Sequence, residues 1–205
     1  MDKLQISQLA EQTAVLGPGN RAVIWVHGCC FSCPGCLAQR YKTGKYTEYT
    51  PEAIAAWYLA IPGAQGLTIS GGEPMLQAAP LAEAIRLIRA EKDTGVIVYT
   101  GFTREALAEK AGSDPGIRAF LGSIDLLIDG PYIREQDDGI PYRGSANQRL
   151  IPLTERYQDR LADYYTTAGG RKIEIRATSE STVLIGVPDR DQLAIWDKIK
   201  AIGAM

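Results

Sequence analysis

The stretch AVIWVHGCCFSCPGC, residues 22–36, joins two unlike halves: five consecutive apolar residues, then a loop that holds all four cysteines of the chain. An uninterrupted apolar run of that length, set between Asn20-Arg21 and His27-Gly28, reads as a strand buried on both faces. Strands of that kind belong to parallel sheets covered by helices. The chain downstream agrees. Residues 51–60 are expected to form a helix, because Thr50 can cap it and Pro51 suits its first turn. A short strand follows at 67–70, and 76–90 places Leu81, Ile85, Leu87 and Ile88 at helical spacing. A strand at 96–99, a helix capped by Thr103 and a strand at 124–128 repeat the pattern. Strands alternating with helices predict parallel pairing through right-handed crossovers: an α/β domain, with a barrel or partial barrel as its form.

The carboxy-terminal part has a different rhythm. Residues 172–177 and 182–187, separated by TSES at 178–181, read as a β-hairpin, and 190–202 as a closing helix. Residues 134–150 are polar and contain glycine; a loop of that length points to function rather than mere connection.

Composition narrows the classes. With 205 residues, 45% hydrophobic and 22% charged, the chain is long enough for one well-buried core, so a single domain is expected over 1–205. A formal charge of −2 and a pI near 5.5 give no general attraction to nucleic acid or an anionic membrane, and neither is expected as a partner. The first 20 residues lack the apolar core of a signal peptide, and no later run is long enough for a membrane span. The expected location is the cytoplasm. There thiols stay reduced, and clustered cysteines point to metal or redox chemistry rather than a disulfide scaffold.

Each of the four strands ends in an unusual sequence: His27-Gly28-Cys29, then Gly71-Gly72-Glu73-Pro74, Thr100-Gly101, and Asp129-Gly130-Pro131. In parallel α/β folds the carboxyl ends share one side, where ligands bind, so the four segments are expected to converge. Cys29, Cys33 and Cys36 have the spacing C-x3-C-x2-C. Three thiolates from one compact loop suit one face of a cubane iron–sulfur cluster and leave its fourth iron open to a small molecule. The alternative is a structural zinc site completed by His27, although closed zinc sites usually draw on two separated knuckles and this chain has no other Cys or His. The 71–74 segment has two readings as well, a plain strand-to-helix turn or a loop whose glycines let a ligand approach the backbone while Glu73 meets an ammonium group.

These motifs resemble the radical S-adenosylmethionine (SAM) enzymes. The nearest likeness is to activating proteins of anaerobic ribonucleotide reductase and related glycyl-radical-enzyme activases. It is carried by GPGNR at 17–21, HGCCFSCPGC at 27–36, SGGEP at 70–74, VYTGF at 98–102, IDGPY at 128–132 and YRGSANQRL at 142–150. The resemblance thus covers a core of 17–150 and leaves 151–205 as an extension. It implies a partial (β/α) barrel of the radical SAM type. Cys29, Cys33 and Cys36 would hold a [4Fe–4S] cluster whose open iron binds the amino and carboxylate groups of SAM. Gly71, Gly72 and Glu73, with Pro74 closing the turn, would receive the methionine ammonium. Thr100 and Asp129 stand at the other strand ends facing the cofactor, Asp129 either accepting backbone bonds or holding the SAM ribose or a cation. Arg143 and Asn147, with Gln148 and Arg149, would contact substrate or the SAM carboxylate.

Gly35 stands, as in the CPGC form of the activase subgroup, where the family as a whole often has an aromatic residue, so a backbone contact must serve the adenine. The chain departs from the pattern in three places. Leu37 replaces a tyrosine, and His27 replaces a glutamine and is read as hydrogen-bonding support for the site. Cys30 is extra and is read as a bystander, since adjacent cysteines do not readily place both sulfurs on one cubane.

The implied function is reductive cleavage of SAM by an electron from reduced flavodoxin or ferredoxin. The resulting 5′-deoxyadenosyl radical abstracts a hydrogen atom from a glycine of a large glycyl-radical partner enzyme. A radical SAM enzyme acting on a small molecule or peptide is the alternative, and a non-catalytic iron–sulfur or zinc module the alternative of another class. The absence of further cysteines, which peptide-modifying relatives use for auxiliary clusters, favours the activase.

Overall fold

The computed structural model describes residues 3–165, 170–177 and 182–203. Its frame is a seven-stranded sheet: β1 (Leu4–Thr13), β2 (Arg21–Val26), β3 (Thr47–Tyr49), β4 (Gly66–Gly71), β5 (Gly95–Tyr99), β6 (Leu126–Asp129) and β7 (Arg149–Pro152), in the order β3-β1-β2-β4-β5-β6-β7. The four strands read from the sequence are its centre, β2, β4, β5 and β6. They pair in parallel and in chain order, with Val26 opposite Gly71, Gly66 opposite Gly95 and Ile97 opposite Leu126. Antiparallel strands finish both sides, β1 against β2 and β7 against β6.

Every crossover steps in one direction along the sheet, so crossovers of one hand put the connecting helices α2 (Pro51–Leu59), α3 (Ala78–Glu91), α4 (Arg104–Ser113) and α5 (Pro115–Leu121) on one face. The short α1 (Arg40–Thr43) lies on the other face, where Tyr41 stacks on Trp25 with ring centroids 5.9 Å apart. Ala22, Ile24, Val26, Leu67, Ile69, Val96, Val98 and Leu127 point to the face of α2 to α5 and pack on Ile54, Tyr58, Leu81, Ile85, Ile88, Leu107 and Phe120. Residues of opposite parity, Val23, Trp25, Ile97, Leu126 and Ile128, point to the other face, where two further apolar clusters form. Burial on both faces is why β2 reads as a continuous apolar run.

Local chemistry sets the helix boundaries. Thr50 Oγ1 accepts from Ala53 N at 3.2 Å and Thr103 Oγ1 from Ala106 N at 3.3 Å, as expected of two N-caps. The segment expected to be helical over 76–90 begins instead as a 3₁₀ turn, Pro74–Gln77, before α3. The single helix expected after Thr103 is two, because Pro115 cannot continue α4 and Asp114 opens α5 by accepting from Gly116 N and Ile117 N.

The second face is floored by Arg21, which is 1% exposed. Its guanidinium donates to Thr68 Oγ1 at 2.7 Å, Tyr157 OH at 2.9 Å, and the carbonyls of Leu67 at 2.7 Å and Gly95 at 3.0 Å. The same face is covered by α6 (Leu161–Tyr164) and by the antiparallel hairpin β8 (Ile173–Ala177) and β9 (Thr182–Gly186), with α7 (Arg190–Gly203) after it. The hairpin and closing helix stand where the sequence put them; the turn at 178–181 lies outside the described residues. Among the described residues no helix is long and apolar enough to cross a membrane.

Candidate functional site

At the carboxyl ends of the central strands the chain encloses a cavity of about 500 Å³. Cys29, Cys33 and Cys36 line it together with Gly71, Gly72, Glu73, Thr100, Gly101 and Gly130. The four strand-end segments do converge.

The cysteine loop is fixed from several sides. Its base closes where Gly28 N donates to Tyr41 O at 3.0 Å, and Cys36 N donates to Cys33 O at 3.3 Å within it. Lys42 Nζ donates to Phe31 O and to Ser32 Oγ, and the Phe31 ring packs edge-on against Phe102 at 4.9 Å. Cys30, by contrast, is exposed and absent from the cavity wall. Burial pushes the Cys29 and Cys36 thiols above their ordinary value. Neither is then an activated thiolate on its own; an electropositive group such as an iron cluster would draw off the protons.

The glycine segment locks onto that loop. Gly72 N donates to Val26 O and Glu73 N to Gly28 O, both at 2.8 Å. Gly71 has φ +100°, and a Cβ on Gly72 would lie 1.9 Å from Gly28 O, so side chains at these positions would force the two loops apart. Glu73 itself is 1% exposed. Its Oε1 accepts from Thr100 Oγ1 at 2.8 Å and Met75 N at 3.0 Å, and its Oε2 from Gly101 N at 2.8 Å. Burial pushes its carboxyl up to about 7, against the downward pull of the three donors. The carboxylate therefore clips the end of β4 to the end of β5, with Pro74 buried at the start of the 3₁₀ turn.

Asp129 is fully buried and does not line the cavity. It accepts from Arg104 N at 2.6 Å and from both Nε and Nη2 of Arg149, joining β6, β7 and the start of α4. Arg143 and Asn147 also act within the protein. Arg143 donates to Gln148 O at 3.0 Å and pairs with Asp138; Asn147 Nδ2 donates to Pro131 O at 2.7 Å. They hold the 131–148 loop so that Tyr132, Gly144 and Gln148 reach the cavity in their place.

Sequence reasoning named Gln148 but missed Tyr132 and Gly144, and also Trp25 and Tyr99, which line the cavity from the second face of the sheet. Their strand parity was a usable signal. It missed Gln77 too, whose side chain donates to His27 O at 3.0 Å and exchanges bonds with Gln5, tying β1 to the cysteine loop.

His27 turns away from the thiols: Nδ1 lies 3.2 Å from Ser7 Oγ and the ring packs against Tyr46 at 4.5 Å. Among the described residues no three Cys, His, Asp or Glu side chains gather around a single-ion position. The donor set, three thiols spread around one cavity beside an open backbone segment, fits a cubane cluster with a free iron and does not fit zinc completed by His27.

The family described as "4Fe-4S single cluster domain" matches residues 15–151. The chain belongs to this family. The "anaerobic ribonucleoside-triphosphate reductase-activating protein" of Vibrio cholerae is 38% identical over 150 residues, covering 68% of this chain and 92% of that protein. The protein of the same name from Haemophilus influenzae is 35% identical over 141 residues, covering 64% and 87%. Among solved structures, QueE from Escherichia coli superposes with a TM-score of 0.43 at 17% identity, over 49% of this chain and 54% of that one. The radical SAM assignment carried by the motifs, with a [4Fe–4S] cluster and SAM as cofactors, holds for this family member.

Proposed function

We propose that this protein is a glycyl-radical activase: it cleaves SAM reductively and removes a hydrogen atom from a glycine of a large partner, in the manner named for its relatives, an anaerobic ribonucleoside-triphosphate reductase. The observation that carries the reading is the meeting of three thiols and the 71–73 backbone in one cavity. Cys29, Cys33 and Cys36 would hold the cluster. When bound, the cluster and SAM supply the electron transfer and the carbon radical; the protein supplies position and exclusion of water.

The main chain at Gly71 and Gly72 would receive the methionine ammonium, held in place from behind by the Glu73 clip to Thr100 and Gly101. Phe31 and Lys42 fix the cysteine loop, and Gln148 and Tyr132 offer contacts on the far wall. Asp129, Arg143 and Asn147 support the site by orienting β7 and the 131–148 loop. Reduced flavodoxin or ferredoxin is the proposed electron source. The sheet is read as a partial barrel, since four parallel strands in chain order with helices on one face curl around the other. Residues 1–205 are read as one domain, because Ile185 of the extension packs into the same cluster as Val23 and Trp25.

The test is spectroscopic. Anaerobically reconstituted protein should carry about four irons per chain, and its reduced EPR signal should change on adding SAM. A preparation that binds one zinc and takes up no iron would overturn the reading.

A further inference from the structure

Residues 152–205 lie beyond the segment that the family matches, yet they build part of the cavity. Leu184 and Val187, at and just after β9, and Leu193 and Trp196 of α7 all line it. Ile185, 1% exposed, packs into the cluster of Leu16, Val23 and Trp25, with Val187 against the same cluster, which seats the hairpin on the second face of the sheet. Polar anchors hold both ends of this strap. Beside β1, Glu174 Oε1 accepts from Thr13 Oγ1 at 2.7 Å and from Ala14 N at 2.9 Å. At the mouth the buried Arg171 pairs with Asp137 at 2.8 Å and donates to Arg143 O at 2.7 Å and Pro188 O at 3.2 Å. Gln192 closes the corner by donating to Arg171 O at 2.8 Å.

We propose that Leu184, Val187, Leu193 and Trp196 are specificity-determining residues, a wall that admits an extended peptide main chain at a glycine and excludes bulkier substrates; this rests on the activase reading above. A cavity of about 500 Å³ is of the size one small-molecule ligand fills. The four side chains line the same cavity as the three cysteines and Gly71-Gly72, so a substrate seated beside bound cofactors would lie against them. Glycine, lacking Cβ, is the narrowest point of a peptide and the only residue whose Cα can be brought flush against a surface. Three of the four wall side chains are aliphatic and carry no charge. They grip by shape and offer nothing to hold a charged metabolite, whose desolvation against them would be uncompensated.

The test uses the full-length reconstituted protein with the anaerobic ribonucleoside-triphosphate reductase of the same organism. Leu184→Ala and Trp196→Ala, made separately, cut back this wall. The quantity read is glycyl radical formed on the reductase, by EPR, per 5′-deoxyadenosine released. Loosened positioning should lower that ratio by about fivefold or more in each variant. A second readout needs no variant: amide hydrogen exchange over 183–187 in the unaltered protein should slow when the reductase is added. An unchanged ratio, a proportional fall in both products, or unchanged exchange at 183–187 overturns the wall proposal while leaving the activase standing. If the unaltered protein places no radical on the reductase, the activase reading fails and takes this inference with it.

Discussion

Replacing Glu73 with Gln isolates the buried clip between β4 and β5. The carboxyl is 1% exposed, and burial raises it from 4.5 to about 7. Between those two values the folded protein holds a proton that the unfolded chain has released. The group's contribution to stability is therefore full below its unfolded value and is lost as the pH rises through about 7. A shift of that size corresponds to about 3 kcal/mol. Glutamine does not titrate, so Glu73→Gln removes this dependence while retaining one oxygen acceptor for Thr100 or Gly101. The expected outcome is that the stability gap between variant and unaltered protein moves by about 2.5 kcal/mol in favour of the variant from about pH 5 to about pH 8. Urea denaturation of the cofactor-free, reduced protein, followed by tryptophan fluorescence, measures it. A gap that stays flat across that range would refute the claim that Glu73 is buried at a cost in its charged form.

Three further outcomes follow from the same geometry. Cys29→Ala, Cys33→Ala and Cys36→Ala should each abolish iron uptake, whereas Cys30→Ser, altering an exposed thiol, should retain it; iron analysis after reconstitution decides. Arg149→Ala strands the buried Asp129 carboxylate and should cost about 3 kcal/mol in urea denaturation, with Asp129→Asn on the same background restoring part of the loss. Thr50→Ala and Thr103→Ala each remove an N-cap and should lower stability by about 1 kcal/mol, read as additive shifts in the urea midpoint.

The central strands were legible because burial on both faces leaves them almost without polar residues, and turn residues mark their ends. β1 was not. Its sequence LQISQLAEQT pairs with β2 through two register irregularities, between Ile6 and Gln8 and between Ala10 and Thr13, and these break the alternation that a half-buried strand would show. The division of α4 from α5 was written in Asp114-Pro115, a cap followed by a helix-starting proline, inside a pattern otherwise read as one helix.

In the site, residue chemistry was more legible than residue role. Cysteines and glycines announce themselves by type and spacing, and they do line the cavity. Polar residues do not reveal which way they face. Arg143 and Asn147 turn inward to shape their loop, and Gln148, one position on, reaches the cavity instead. The wall from β9 and α7 had no local signal at all: Leu184, Val187 and Trp196 look like ordinary core residues, and only the docking of the hairpin brings them to the site.

The central claim is hydrogen transfer from a partner's glycine to the carbon radical derived from SAM. It is tested most directly by reacting the reconstituted, reduced protein with SAM and the anaerobic ribonucleoside-triphosphate reductase of the same organism, prepared with deuterium at its glycine Cα positions. The account predicts deuterium in the 5′-deoxyadenosine released, together with a glycyl radical signal on the reductase. Unlabelled 5′-deoxyadenosine and a reductase without a radical, from protein that carries its cluster and cleaves SAM, would contradict it.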